Sequence, residues 1–458
     1  MNLTKNEKTR TILEFTGFLL TAILALSCAA GPNVYRGIDL AVGNDDFETA
    51  IETVVSGQEA KNPIYSEKNS IMLFLDKGLL EYYAGNYSNS SQDLQEAERL
   101  IQEAYTKSIT EGFFSYILND NTKEYPGEDF EDIYINIFNA LNYYKRGSIE
   151  GALVEIRKLS MSSGKLDMLG RKYDYKDPNT GASLDETVQK ETGVSQLPSK
   201  KPVEFSNSAL ARYLAALFFL ADGNTDSARI EFEQLQKAFL SNSNVYKNPV
   251  PQAVEEAQNV PKGKARLNVI GFTGLSPIKE EEQIVYYFPF FQHPILHKAV
   301  FKLPKLVKRP SRINRIEVVI DDGEKFELEL LEDMGTVIEK TFAVRYANIM
   351  LKTYIRTLIK YAAADVLAVV TADKAGELAG LAVAIAAKTG LEATESADTR
   401  MSRYLPDKAY IGGINLDPGT YNVTVNFYSG GRIISQIERV GVVVREKGLN
   451  LIDAVSLK

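Results

Sequence analysis

Hydrophobic positions change their period near residue 265, and that change divides the chain. From about residue 40 to 245 apolar residues recur every three or four positions, the spacing of one helix face. Three segments there resemble one another. In FLDKGLLEYYAGNYSNSSQDLQEAERLIQEAY, Gly78 and Gly85 are followed by Tyr87, Leu94 and Ala97. In GEDFEDIYINIFNALNYYKRGSIEGALVEIRKL the same places hold Ala140, Gly147, Ile149, Ile156 and Leu159, with Ala152 between. In FSNSALARYLAALFFLADGNTDSARIEFEQLQKAF they hold Ala216, Gly223, Thr225, Phe232 and Leu235, with Ala228 between. Small residues where two helices cross, glycine at the turn and a large apolar residue on the second helix predict helix-turn-helix units of tetratricopeptide type. A fourth unit is expected around AVGNDDFETAIETVV, with Phe47, Ala50 and Val54.

Residues from about 163 to 204 interrupt these units with a polar stretch that has no period, expected to be either mobile or draped over the surface. Residues 246–264 carry three prolines and few apolar residues and read as a linker. Beyond it alternation takes over in ARLNVIGFTG, EQIVYYFPF, INRIEVVI and EKFELELLE, and again in AYIGGINL, GTYNVTVNFY, RIISQIERVGVVVR and LNLIDAVSL, with turn signals between them. A helical pair from about 338 to 396 separates the two strand groups. The expectation is an α+β multidomain chain: a tetratricopeptide-like α-helical repeat domain over 40–245, then a β-sandwich-like domain over 265–458 with the helical pair inserted. Because each repeat contacts chiefly its neighbours, residues from about 29 to 246 are expected to fold without the rest.

The N-terminus changes the picture. Lys5, Lys8 and Arg10 precede an apolar run from Phe15 to Leu26, the layout of a secretory signal over residues 1–27. It ends at Cys28, the only cysteine in 458 residues, so no internal disulfide exists and the thiol needs another role. Leu24-Ala25-Leu26-Ser27-Cys28 resembles a relaxed bacterial lipobox, which predicts an acylated Cys28, a tether over residues 28–39 and attachment to a membrane. Ala29 rather than an acid follows the cysteine, pointing to the periplasmic face of the outer membrane. The apolar stretch from Ala362 to Gly390 is cut by Asp365, Asp373, Lys374, Glu377 and Lys388 and is not expected to span a bilayer. Gly376, Gly380 and Ala384 suit a tight helical hairpin there.

Charge and chemistry exclude more than they assign. A net charge of −8 disfavours a nucleic-acid partner. One cysteine and two histidines leave no material for a soft-metal centre, and no cofactor motif occurs. His293 and His297 sit either side of Pro294 in FPFFQHPILHKAV, without the acid that would orient a catalytic base. No enzyme is expected.

Two constellations invite binding. Arg345, Lys352, Arg356 and Lys360 recur at seven, four and four positions on one helix face, either a solvated face or a docking stripe for an acidic partner. Asp398 and Arg400, in ADTRMSRYLP, suit a clamp that fixes the crossover from helix to strand, or a recognition loop.

Four segments, YPGEDFEDIYINIFNALNYYKRGSIEGALVEIRKL, GLSPIKEE, ESADTRMSRYLP and LDPGTYNVTVNFYSGG, resemble in order and spacing a family of bacterial envelope lipoproteins with tetratricopeptide-like helical repeats and a C-terminal mixed α/β domain. The resemblance covers nearly the whole mature chain. It implies architecture and compartment and carries no catalytic residues. Met401 and Ser402 depart from it where an aromatic is often found.

These readings together predict a non-enzymatic, lipid-anchored envelope scaffold that holds a protein partner in the groove of its helical repeats. The alternative is a periplasmic glycan- or small-ligand-binding lipoprotein with its site between the two domains.

Overall fold

In the computed structural model, the structure describes residues 34–61, 63–110, 123–160, 165, 205, 207–289, 296–321, 323–346, 349–350, 353, 356–357 and 396–458. The chain is α+β. Eight helices form four successive antiparallel pairs: α1 (Arg36–Gly43) with α2 (Phe47–Gln58), α3 (Ser70–Tyr83) with α4 (Tyr87–Thr110), α5 (Asp129–Lys145) with α6 (Ile149–Ser160), and α7 (Ala209–Ala221) with α8 (Thr225–Ser241). Each packs on the next in order.

One turn geometry recurs in all four pairs. The second residue after the first helix has positive φ: Asp45 at 58°, Gly85 at 86°, Gly147 at 80° and Gly223 at 77°. The next amide then donates to the carbonyl five residues back, Asp46 to Ala41, Asn86 to Glu81, Ser148 to Tyr143 and Asn224 to Phe219, closing the helix end. Glycine adopts that conformation freely, which is why three of the four turns use it. The close crossings read from sequence are present: Ala50, Ala152 and Ala228 are fully buried. A Cβ on Gly78 would lie 2.9 Å from Leu94 Cδ2.

Two sheets follow. In the first, β2 (Leu296–Arg309), β1 (Ala265–Pro289), β6 (Pro406–Leu416) and β5 (Glu329–Asp333) are neighbours in that order, and β9 (Asn450–Ser456) pairs parallel with β1. The second runs β4 (Glu324–Glu327), β3 (Arg315–Ile320), β7 (Gly419–Ser429), β8 (Arg432–Val444), all antiparallel. Early and late strands thus pair with each other, as Leu267 does with Ile414 and Val318 with Val425.

Alternation along β1 and β9 sorts their side chains between two cores. Leu267, Val269, Ile452 and Ala454 join Ile316, Val318, Val423, Val425 and Phe427 between the sheets. Ile270, Phe272, Leu451 and Val455 face the other way and join the helical core. That core runs without a break from Ile38 of α1 to Leu457.

Residues on both sides of segment 246–264 thus share one core. The proline-containing segment is no open linker: α9 (Gln252–Gln258) lies within it and buries Ala253, Val254 and Ala257, while Glu256 reaches Arg266 at 2.9 Å. A helix of two turns supplies too short a pattern to read. After β5, helix α10 occupies residues 334–346, opening where Thr336 N–H meets Asp333 Oδ1 at 2.8 Å, four residues before the expected start at Ile338. Its Met334, Val337 and Ile338 enter the helical core.

Candidate functional site

The strap between helices and sheet, residues 396–406, gathers a dense polar network. It ends the crossover into β6 and lies against α1, α3 and α5. Asp398 and Arg400 form the clamp read from the sequence: Arg400 Nε and Nη2 meet the two carboxylate oxygens at 2.8 and 2.9 Å. Although burial opposes it, Arg400 holds the Asp398 carboxyl below its ordinary range. Arg400 Nη1 also donates to Lys123 O at 2.8 Å, tying the strap to the segment before α5.

Two buried acids of the helical layer then take consecutive strap amides. Glu131 Oε1 accepts from Ser402 N–H at 2.5 Å, and Asp76 Oδ1 from Arg403 N–H at 2.8 Å and Ser402 Oγ at 2.7 Å. Their other oxygens are taken by tyrosine hydroxyls, Tyr125 on Glu131 and Tyr65 on Asp76. Burial pushes both carboxyls up, Asp76 to about 6 and Glu131, with Glu128 beside it, to about 7. Glu128 caps α5, its carboxylate held by Lys279 of β1 and by Arg345 of α10 at 2.8 Å. Ser402 thus supplies the amide and hydroxyl that bind both helices.

Of the basic stripe the structure describes Arg345 and Arg356. Arg345 donates to Gly127 O and Glu128, and Arg356 is only 3% exposed, so both engage the protein's interior. Lys352 and Lys360 lie outside the described residues, as do Cys28, His293, Gly376, Gly380, Ala384 and the polar insertion apart from Lys165. That lysine bridges Glu98 at 2.7 Å and Asp132 at 2.5 Å. Burial works against it, yet Lys165 and Lys158 hold Glu98 down to about 2. His297 sits on β2 opposite Phe288.

The first helices of the later pairs face the sheet, and the residues that join them escaped the sequence reading. Tyr82 donates to Asp453 at 2.6 Å, Tyr134 to Glu332 at 2.8 Å and Tyr213 to Asn268 at 3.3 Å. Tyr144 donates to Leu449 O and accepts from Leu451 N–H, while Phe138 meets Phe272 at 5.3 Å between centroids. Glu332 also caps α7, accepting from Ser208 Oγ and Leu210 N–H. The surface on which a repeat groove would hold a peptide is occupied by β1, β9 and the strap. An acid inside an apolar pattern, as in IMLFLDKGLL, ELLED and NLIDAVS, was the available signal for Asp76, Glu332 and Asp453.

Chemically this arrangement fastens. Each raised carboxyl is surrounded by donors from the protein itself. Among the described residues no group of three or more His, Cys, Asp or Glu side chains is arranged to hold a metal ion, and no helix is long and apolar enough to cross a membrane. No protein-family model matches this chain, and no similar curated protein or solved structure was found.

Proposed function

We propose that the protein is a non-enzymatic cell-envelope scaffold, anchored through acylated Cys28 at the periplasmic face of the outer membrane and binding a protein partner. Its four helical pairs are read as degenerate tetratricopeptide-like units, and its two sheets as a sandwich with one outer face given to the helices. The partner surface is the outer side of the pairs, formed by the second helices, because the inner side is taken by the chain's own sheet.

One observation carries this reading. Val154 of α6 and Ile230 of α8 occupy equivalent places, each seven residues after its turn glycine, and both are exposed, at 48% and 46%. Adjacent units thus present matched apolar side chains outward, where a solvated helix face would favour polar residues.

A photo-crosslinking residue placed at 154 or 230 in the anchored protein tests it. The reading expects one and the same protein adduct at both positions and none at Lys325 on β4. Adducts equal at all three, or none at 154 and 230, would contradict it.

A further inference from the structure

On α1, Arg36 and Leu40 are four residues apart and share one face. Both are exposed, Leu40 at 59%, while Ile38, Ala41 and Val42 fill the buried face. The segment after β2 is linked to both ends of this helix through Arg403 and Lys458. At one end Arg309 donates to Arg403 O, and the Arg403 guanidinium lies 4.3 Å from the ring of Tyr35, which precedes α1. At the other end Arg312 N–H meets Lys458 O at 3.2 Å, and the Lys458 ammonium meets Asp45, just past α1, at 3.2 Å.

The nearby acids are already engaged. Asp39 takes Arg403 at 2.8 Å and the Tyr404 hydroxyl at 3.0 Å. Asp45 takes Ser435, Ser456, Leu457 N–H and Lys458. Arg36, Arg309 and Arg312 have no carboxylate within ion-pair distance among the described residues. Arg309 donates only to the carbonyls of Ser276 and Arg403, and burial, with Arg403 beside it, lowers its pKa to about 10. In a chain of net charge −8 such a basic face is local.

We infer that this end of the fold, Arg36, Leu40 and Arg312, all exposed, rests on the membrane, with the two guanidiniums on anionic phospholipid headgroups and Leu40 at the edge of the acyl region. The inference builds on the proposed anchor at Cys28. From Cys28 to Arg36 an extended chain reaches at most about 28 Å, so the tether keeps this face close to the bilayer. A contact too weak to recruit the protein from solution then suffices to orient it. Near an anionic surface each arginine strengthens the contact by roughly fivefold, and an exposed leucine among arginines has the composition of an interfacial element.

The chain contains no tryptophan, so a single one reports its own depth. Leu40→Trp and, as control, Leu240→Trp at the far end of the helical layer, itself 82% exposed, are purified as full lipidated protein. Both substitutions are on exposed sites, and circular dichroism checks that the fold is kept. Each variant is reconstituted into vesicles of phosphatidylcholine with or without phosphatidylglycerol, the acyl chains brominated. The inference expects quenching of Leu40→Trp in the anionic vesicles, about fivefold weaker contact after adding Arg312→Glu, and no quenching of Leu240→Trp. Unquenched Leu40→Trp on protein that floats with the vesicles would overturn the inference and leave the anchor standing. So would quenching that ignores phosphatidylglycerol. Shielding of Leu40→Trp that appears only with added envelope protein would overturn it in favour of a protein occupant. Failure to float would overturn the anchor, and the inference with it.

Discussion

Tyr82 of α3 donates its hydroxyl to Asp453 of β9 at 2.6 Å, joining residues 371 positions apart. Lys145 of α5 pairs with the same carboxylate. Three elements from opposite ends of the sequence thus meet on one buried acid. Although burial opposes it, Lys145 keeps the Asp453 carboxyl below its ordinary range.

Removing the tyrosine hydroxyl leaves that acid one donor short in the interior. Tyr82→Phe is expected to cost about 1–3 kcal/mol in urea denaturation, with the slope of the transition unchanged. Lys145→Met is expected to cost more, because it strands a buried charge.

Ala152 lies fully buried where α6 crosses its neighbours. Ala152→Leu is expected to overpack that crossing and to cost about 1–3 kcal/mol. Ala152→Gly and Ala152→Ser test whether the loss follows side-chain volume. An Ala152→Leu protein as stable as the parent would contradict the close crossing.

Stability should depend on pH through the strap. The Asp76 carboxyl titrates at about 6 in the folded protein against 3.8 for an ordinary aspartate, so between those values the folded state binds the extra proton. Stability from this group is therefore greatest at the acidic end and falls as pH rises from about 4 to about 6, by on the order of 3 kcal/mol. Glu131 acts in the same direction, up to about 7. Asp76→Asn keeps an acceptor for Arg403 N–H and removes the proton. Melting temperatures between pH 5 and 8 should vary less in that variant than in the parent. An identical pH profile would rule Asp76 out as the cause.

For the anchor, Cys28→Ser is expected to leave the protein uncleaved or free of the membrane fraction. Metabolic labelling with an alkyne fatty acid is expected to mark the native chain only. Equal labelling of both would remove Cys28 as the acylation site.

What the sequence revealed followed from local repetition. Gly85, Gly147 and Gly223 announced three turns because positive φ selects glycine. The first turn was less visible, since Asp45 fills the same place and spends its side chain on Ser456 and Leu457 N–H. Asp398 and Arg400 were readable as a clamp because both partners lie within three residues. Asp76, Glu131, Glu332 and Asp453 were not, since an acid inside an apolar helix or strand marks at most its own burial, and its partners lie far along the chain. The same limit hid the union of helices and sheet. Alternating residues of β1 and β9 read as ordinary strand faces, and nothing in their period says that one face meets helices and the other a second sheet.

The central claim is that helices and sheet form one folding unit, with the inner side of the helical pairs closed by the chain's own strands. Expressing residues 29–264 alone tests it most directly, by thermal and urea unfolding followed by circular dichroism. The account predicts a fragment with helical signal but no cooperative transition, because Tyr82, Tyr134, Phe138, Tyr144 and Tyr213 lose the surface that buries them. A sharp two-state transition with near-parental midpoint would show that the repeats stand alone, and would contradict it.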